Sequence, residues 1–240
     1  MANFQSDNWK QFIAKREVIV IGELHGTVEV PNVVLKLAKL ITQEYGNVTI
    51  ALEISCDLQD EMDYYFKSND STALFSHDYF KVHDGRTSVA MADLIKNLQK
   101  IPGVYILCFD IDSGDPTISK RDSLMGRRLT MVPRGKMVVL TGNLHANLNK
   151  DFHSAGFKSA IYHLQETLQL GDKLVSLYTF FASGTIWNCM NDGCGPRILP
   201  THGTVSENTS YMVIDDESRI DGYNGYLYFN FVQASPPLLK

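Results

Sequence analysis

Four short apolar runs, each followed by a stretch with a different periodicity, constrain this chain more than anything else in it. The runs are residues 17–22 (EVIVIG), 48–54 (VTIALEI), 104–109 (VYILCF) and 136–140 (KMVVL). After the first, Pro31 suits the opening turn of a helix, and Val33, Val34, Leu37, Leu40 and Ile41 follow at helical spacing. Before the third, Val89, Met91, Leu94, Ile95 and Leu98 form an amphipathic stripe that Pro102-Gly103 ends. Residues 57–67 and 119–131 read as further helices. Runs that are apolar on both faces belong to a parallel sheet covered on both sides. Right-handed crossovers then make a doubly wound sheet the expectation. Residues 147–155 read as a helix and 158–163 as a fifth strand.

The last third reads differently. Residues 174–182 (LVSLYTFFA) and 226–232 (YLYFNFV) have strand character, and 184–210, with four glycines and two prolines, reads as a loop. The expected fold is a three-layer α/β domain with a mainly parallel central sheet, helices on both faces and a loop-rich C-terminal extension. It spans residues 1–240 as one domain, with a core at 17–165 and C-terminal strands and an insertion loop at 166–240.

Composition excludes several classes. Lys and Arg total 22 against 27 Asp and Glu, a net charge of −5, so there is no basic surplus to neutralise nucleic-acid phosphates. No apolar run approaches the ~18 residues of a membrane span. The polar N-terminus lacks the pattern of a secretory leader, so the chain reads as cytoplasmic; a periplasmic protein whose leader had been removed would read the same. Cys56 and Cys108 read as core or inert thiols. For Cys189 and Cys194 a plain loop is favoured, with a disulfide and a metal site as alternatives.

In open α/β sheets, ligands bind beyond the carboxyl ends of the strands. The first run leads into Glu23, His25 and Glu29, the second carries Glu53, the third leads into Asp110 and Asp112, and the fourth into Asn143 and His145. Ionisable groups at buried strand ends are costly unless paired or solvated. The two histidines share the form G-x-x-H, as Gly22-Glu23-Leu24-His25 and Gly142-Asn143-Leu144-His145. Each glycine can turn the chain sharply out of its strand, and imidazole titrates near the pH of proton transfer. Glu53 reads as a buried carboxylate, an acid or base, or a metal ligand. Asp110 and Asp112 read as helix caps or site residues, and Glu29 as a helix start or site residue. Arg121 could hold Glu53 ionised or clamp a carboxylate or oxyanion. His77, His83, His153, His163 and His202 read as structural or exposed, and the aromatic cluster Tyr223, Tyr226, Tyr228, Phe229 and Phe231 as strand packing, with part of it lining a pocket as the alternative. Serine-hydrolase elbow, zincin and Walker A motifs are absent from the sequence.

The ordered set Gly22-Glu23-x-His25-Gly26-Thr27-x-Glu29, Glu53, Arg121-Asp122-x-x-Met125 and Gly142-Asn143-x-His145-Ala146 resembles the superfamily of erythromycin-esterase-like, ChaN-like and Tiki/TraB-like proteins. The resemblance covers residues 17–165. It implies an α/β fold around a parallel sheet and a site built from His25, Glu53, Arg121 and His145, with Glu23 nearby. Esterase-like members imply hydrolysis through histidine-activated water. ChaN-like members imply haem binding, and Tiki-like members a metal-dependent peptidase. The leading expectation is hydrolysis of an ester, lactone or related acyl bond. His25 is the base, Glu53 or Glu23 orients it, and Arg121 and His145 stabilise the oxyanion. Glu29, Asn143 and Asp110 are candidates for contacting substrate. His25, Glu53 and His145 are the candidate ligands of a divalent metal, with haem as the alternative cofactor. The expected partner is a small-molecule substrate or haem.

Overall fold

A computed structural model describes residues 2–3, 8–111, 118–132, 135–191, 193–199, 211–214 and 221–239. Asp112 and His202 lie outside the described residues. In chain order the elements are β1 (Ala2–Asn3), α1 (Asn8–Lys15), β2 (Val18–Glu23), α2 (Glu29–Tyr45), β3 (Val48–Ser55), α3 (Gln59–Ser68), α4 (Thr72–Ser76) and α5 (Val89–Gln99). They continue as β4 (Val104–Asp110), α6 (Ile118–Leu129), β5 (Met137–Gly142), α7 (Asn143–Ala146), α8 (Ala160–Leu168) and β6 (Leu174–Phe181). The last four are β7 (Thr185–Met190), β8 (Gly193–Ile198), β9 (Tyr211–Ile214) and β10 (Gly225–Phe229).

The central sheet runs β1-β9-β10-β6-β2-β5-β3-β4. From β10 to β4 every pairing is parallel, and β9 and β1 close one edge antiparallel. Strands β2 and β5 lie inside the sheet and are buried along their whole length. That explains their unbroken apolar character: each has a helical layer on both faces. Ile19, Ile21, Ile50 and Leu52 point into one core with Val34, Leu37, Ile41 and Ile95 from α2 and α5. Val20, Ala51 and Val139 point into the other with Met125, Leu129, Ile161 and Leu164 from α6 and α8. The three-layer, mainly parallel architecture is the expected one. No helix among the described residues is long and apolar enough to cross a membrane.

Three local expectations are corrected. Residues around 158–163 form the start of helix α8 instead of a fifth strand. Ser159 caps it by accepting the Tyr162 amide at 2.9 Å, and Ala160, Ile161 and Leu164 fall on one buried face. A short apolar run does not distinguish strand from buried helix; the cap does. The helix expected over 147–155 is a series of turns, and the helical residues lie earlier, in α7. The segment after residue 184 holds a two-stranded hairpin, β7–β8, instead of only loop. Cys189 and Cys194 sit opposite each other in it and form a disulfide, which replaces the plain-loop reading.

Candidate active site

The carboxyl ends of β2, β3 and β5 converge on a cleft of about 460 Å³. Its lining includes Glu23, His25, Glu53, Arg86, Arg121, Asn143 and His145. Ile186, Trp187 and Asn188 of hairpin β7–β8 line it too.

Glu53 lies at the centre. It occupies a register irregularity of β3 between Leu52 and Ser55, just beyond the last residue that pairs with β5. Bulges of this kind re-aim side chains beside sites. The carboxylate oxygen Oε2 accepts from the Thr141 hydroxyl at 2.6 Å and the Gly142 amide at 2.7 Å. The other oxygen, Oε1, accepts from Arg121 Nη2 at 3.1 Å and lies 3.6 Å from Arg86 Nη1. Burial pushes this carboxyl upward, but the charges of His145, His25 and Arg86 and its hydrogen bonds outweigh burial and hold it well below the usual carboxylate range. Glu53 is therefore an ionised anchor and a poor base.

Two imidazole–carboxylate pairs flank it. His25 Nδ1 is 2.9 Å from Glu23 Oε1, while Nε2 lies 3.6 Å from Glu53 Oε2. Burial opposes charge on His25, but Glu53 and Glu23 prevail and carry its pKa to about 10. Burial also raises the Glu23 carboxyl. His145 Nδ1 is 2.6 Å from Asp122 Oδ1, and Asp122 Oδ2 accepts the Ala160 amide at 3.0 Å. His145 Nε2 lies 3.1 Å from Arg121 Nη1. A guanidinium can only donate, so this contact requires a bare Nε2 and the neutral Nδ1–H tautomer. Burial works against charge on His145; Glu53 and Asp122 favour it, and the net direction is upward. Protonation at Nε2 would set two donors against each other across 3.1 Å, so charging the ring requires Arg121 Nη1 to turn aside.

The glycines of the two G-x-x-H segments act differently from expectation. Neither Gly22 nor Gly142 has a positive φ, so neither is needed for a turn. They are needed for room. A Cβ on Gly22 would stand 2.7 Å from Asn143 Oδ1, and one on Gly142 would stand 3.2 Å from His25 Nε2.

The sequence reading missed Arg86. It lies on a 3-10 turn, Gly85–Thr87, far from any strand end. Asp84 accepts from its Nε at 3.1 Å and its Nη2 at 2.7 Å, and Asp110 Oδ2 accepts from Nη1 at 3.0 Å. Asp110 Oδ1 takes Arg121 Nε at 2.8 Å. Both oxygens of Asp110 are thus held by guanidiniums, which fits a positioning role better than substrate contact. The Asp84-Gly85 pair is the one sequence signal for this turn. Asp122 was visible in the motif, but its pairing with His145 was not.

The other candidates divide. Asn143 lines the cleft. Glu29 does not: it opens α2, where its Oε2 accepts the Gln233 amide at 3.0 Å, so the helix-start reading replaces the site reading. Of the two aromatic readings, pocket lining holds for part of the cluster. Tyr223 and Phe229 are buried, yet Tyr178, Phe180, Tyr223, Tyr226 and Tyr228 border a separate cavity of about 730 Å³ that contains none of the charged site residues.

Neither cofactor implied by the resemblance suits the cleft. A divalent cation on His25, Glu53 and His145 would compete with Arg121, which already occupies Glu53 Oε1 and His145 Nε2, and with Thr141 and Gly142 on Glu53 Oε2. Two guanidiniums would repel it. No group of three His, Cys, Asp or Glu side chains among the described residues is disposed to hold a metal. Haem needs a broad apolar slot, and this cleft is floored by charge.

No family model matches the sequence, and no curated protein matches it. Solved structures do. A Bacillus cereus protein superposes with a TM-score of 0.70 at 13% identity, over 96% of this chain and 92% of that one. A mutant of erythromycin esterase EreC in its open conformation gives 0.67 at 9% identity, over 98% and 94%. ChaN of Campylobacter jejuni, described with cofacial haem bound, gives 0.59 at 13% identity, over 93% and 91%. The chain therefore carries the fold that the erythromycin esterase and ChaN structures share.

Proposed function

We propose that this protein is a hydrolase of an ester, lactone or related acyl bond, using water activated by His25. The observation that carries this reading is the His25–Glu23 pair in the cleft. Glu23 engages Nδ1, leaving Nε2 as the nitrogen beside the open space, and the ring keeps 24% of its surface exposed. That is the disposition of a general base with its orienting carboxylate.

In the proposed reaction, His25 Nε2 takes a proton from water as the water oxygen bonds to the acyl carbon. Glu53, 3.6 Å away, stabilises the imidazolium that forms. Arg121 Nη1 carries a second N–H beyond the one directed at His145, and that hydrogen serves the developing oxyanion. The bond to the leaving oxygen then breaks, and the imidazolium returns its proton to that oxygen. The products are an acid and an alcohol. His145, with Nε2 committed to Arg121, acts through Arg121 as a positioning residue.

The competing readings, haem binding and metal-dependent peptidase action, draw less support from this cleft because its lone pairs are already taken by protein donors. Turnover of aryl esters and lactones by the wild-type protein tests the proposal. Activity lost in His25→Ala, with an unchanged circular dichroism spectrum, is the expected result. A wild-type rate no higher than that of His25→Ala across the panel would overturn it.

A further inference from the structure

Resting on the hydrolase reading, a second conclusion concerns what the cleft accepts. We propose that Trp187 is the specificity-determining residue of this site, which takes an uncharged acyl compound with an apolar flank against the indole and turns anions away.

The first argument is position. Hairpin β7–β8 sets Trp187 in the lining of the same cleft as His25. The side chain is fixed there: its indole Nε1 donates to the His83 carbonyl at 2.9 Å, and its backbone amide donates to the Gly26 carbonyl at 3.0 Å. Gly26 directly follows His25, and a Cβ there would stand 3.0 Å from Trp187 Cβ. The backbone of Trp187 is thus held against the residue that follows His25, and its indole is tied to the His83 carbonyl. Ile186 and the half-exposed Leu24 line the cleft with it and extend an apolar wall. A preformed apolar wall binds without the cost of ordering it first.

The second argument is charge. Two arginines in a cleft suggest an anion clamp, but these two are already committed. Arg86 spends Nε and Nη2 on Asp84 and Nη1 on Asp110. Arg121 spends Nε on Asp110, Nη2 on Glu53 and one Nη1 hydrogen on His145. The connected network contains five carboxylates: Glu23, Glu53, Asp84, Asp110 and Asp122. Against them stand two guanidiniums and two imidazoles. Glu53, Asp84 and Asp110 thus already hold the two guanidiniums. A substrate carboxylate or phosphate would have to displace a protein carboxylate from its arginine.

The test compares para-nitrophenyl butyrate with para-nitrophenyl hemisuccinate, which have the same leaving group and differ by one acyl carboxylate. Wild-type kcat/KM is expected to favour the butyrate by at least ~10-fold, as like charge is excluded. Trp187→Ala is expected to raise KM for the butyrate about tenfold with kcat within about twofold, since it removes an apolar contact made equally in ground and transition states. Trp187→Phe should restore most of the KM. Equal or faster turnover of the hemisuccinate, or an unchanged KM in Trp187→Ala, would overturn the inference. If wild type hydrolyses neither ester, the hydrolase reading falls, and binding decides the inference separately. In a Trp9→Phe background Trp187 is the sole indole. Its fluorescence should be quenched saturably by the uncharged para-nitrobutyranilide and at least ~10-fold more weakly by para-nitrosuccinanilate. Equal quenching by both, or none by either in the folded protein, would reject it.

Discussion

The two G-x-x-H segments look alike in sequence and end in opposite situations. His25 follows β2 into an open turn, keeps 24% of its side-chain surface exposed, and has Nε2 beside the cleft. His145 sits in the short helix α7, keeps 9%, and has both ring nitrogens occupied, by Asp122 and Arg121. Each ring is oriented by a carboxylate, and each lies within 3.7 Å of Glu53. The difference is what holds Nε2. An Nε2 whose neighbour is a carboxylate 3.6 Å away can exchange a proton, and an Nε2 bonded to an arginine can only aim that arginine. Identical motifs therefore end in one partly exposed ring at the cleft and one ring enclosed by its partners.

The largest effect that separates them is in turnover. His25→Ala is expected to lower kcat/KM by roughly 10³-fold, within the range for removal of a general base, with a smaller loss of stability than in His145→Ala, because burial already raises the Glu23 carboxyl it leaves behind, which can take up a proton. His145→Ala should do the reverse in kind. It leaves the fully buried Asp122 without its partner, which costs about 3 kcal/mol when a buried pair is broken. Urea unfolding measures that loss, and the activity remaining in the folded fraction should exceed that of His25→Ala. Equal stabilities for the two variants would erase the distinction.

Acid provides the next contrast, through the shared carboxylate. Glu53 titrates well below its ordinary range in the folded protein. Its contribution to stability is therefore fully present above the unfolded carboxyl pKa and is lost as pH falls through the folded value. Glu53→Gln should be less stable than wild type at neutral pH by about 2 kcal/mol, the scale of a hydrogen bond to a charged group. The gap should close as the solution is acidified. A gap independent of pH would mean that Glu53 is neutral in the folded state.

How far the sequence could foresee this depends on the residue. Strands β2, β3, β4 and β5 were legible because full burial demands unbroken apolar runs, and the charged residues at their ends stood out against that background. His25, Glu53 and His145 were singled out as candidates in this way, and Arg121 by its charge in the helix before β5. Arg86 and Asp84 were not, because their turn gains its place only when the chain from α4 to α5 packs back against His25 and Gly26. Helix α8 was misread because six residues of mixed apolar character, 158–163, carry no decisive period. The hairpin was misread because glycine and proline indicate turns and say nothing of the strands between them. The inequality of the two histidines was also hidden, since it depends on which nitrogen Arg121 reaches.

Activity as a function of pH sharpens the contrast with a smaller effect. His25 must lose its proton to act as base, and its pKa lies at about 10. The rate should therefore climb along a limb well above 6.5, the ordinary imidazole value. Glu23→Gln removes one of the two carboxylates that favour the imidazolium, so it should move that limb to lower pH. Asp122→Asn, on the other ring, should leave the position of the limb in place. A limb near 6.5 in wild type would show that Glu23 and Glu53 do not act on His25 as the geometry requires.

The smallest expected effect is at the hairpin, and it reaches only the His25 side of the cleft. Cys189 and Cys194 join β7 to β8 just beyond Trp187 and Asn188. Cross-linking so short a loop stabilises by about 2 kcal/mol in the chain-entropy account, and here the effect is confined to the hairpin. Its body contacts run through Trp187 and Thr185, whose amides donate to Gly26 and Val232. Cys189→Ser/Cys194→Ser, or reduction with dithiothreitol, should raise KM about two- to threefold, a loss of uniform binding that leaves kcat in place. The free thiols Cys56 and Cys108 give the control, since dithiothreitol should then do nothing further to the double variant. An effect of reductant that persists in that variant would place the redox sensitivity elsewhere in the chain. Thiols are kept reduced in a cytoplasmic setting and become oxidised in a periplasmic one. The KM ratio between oxidised and reduced protein measures how much the compartment matters to the site.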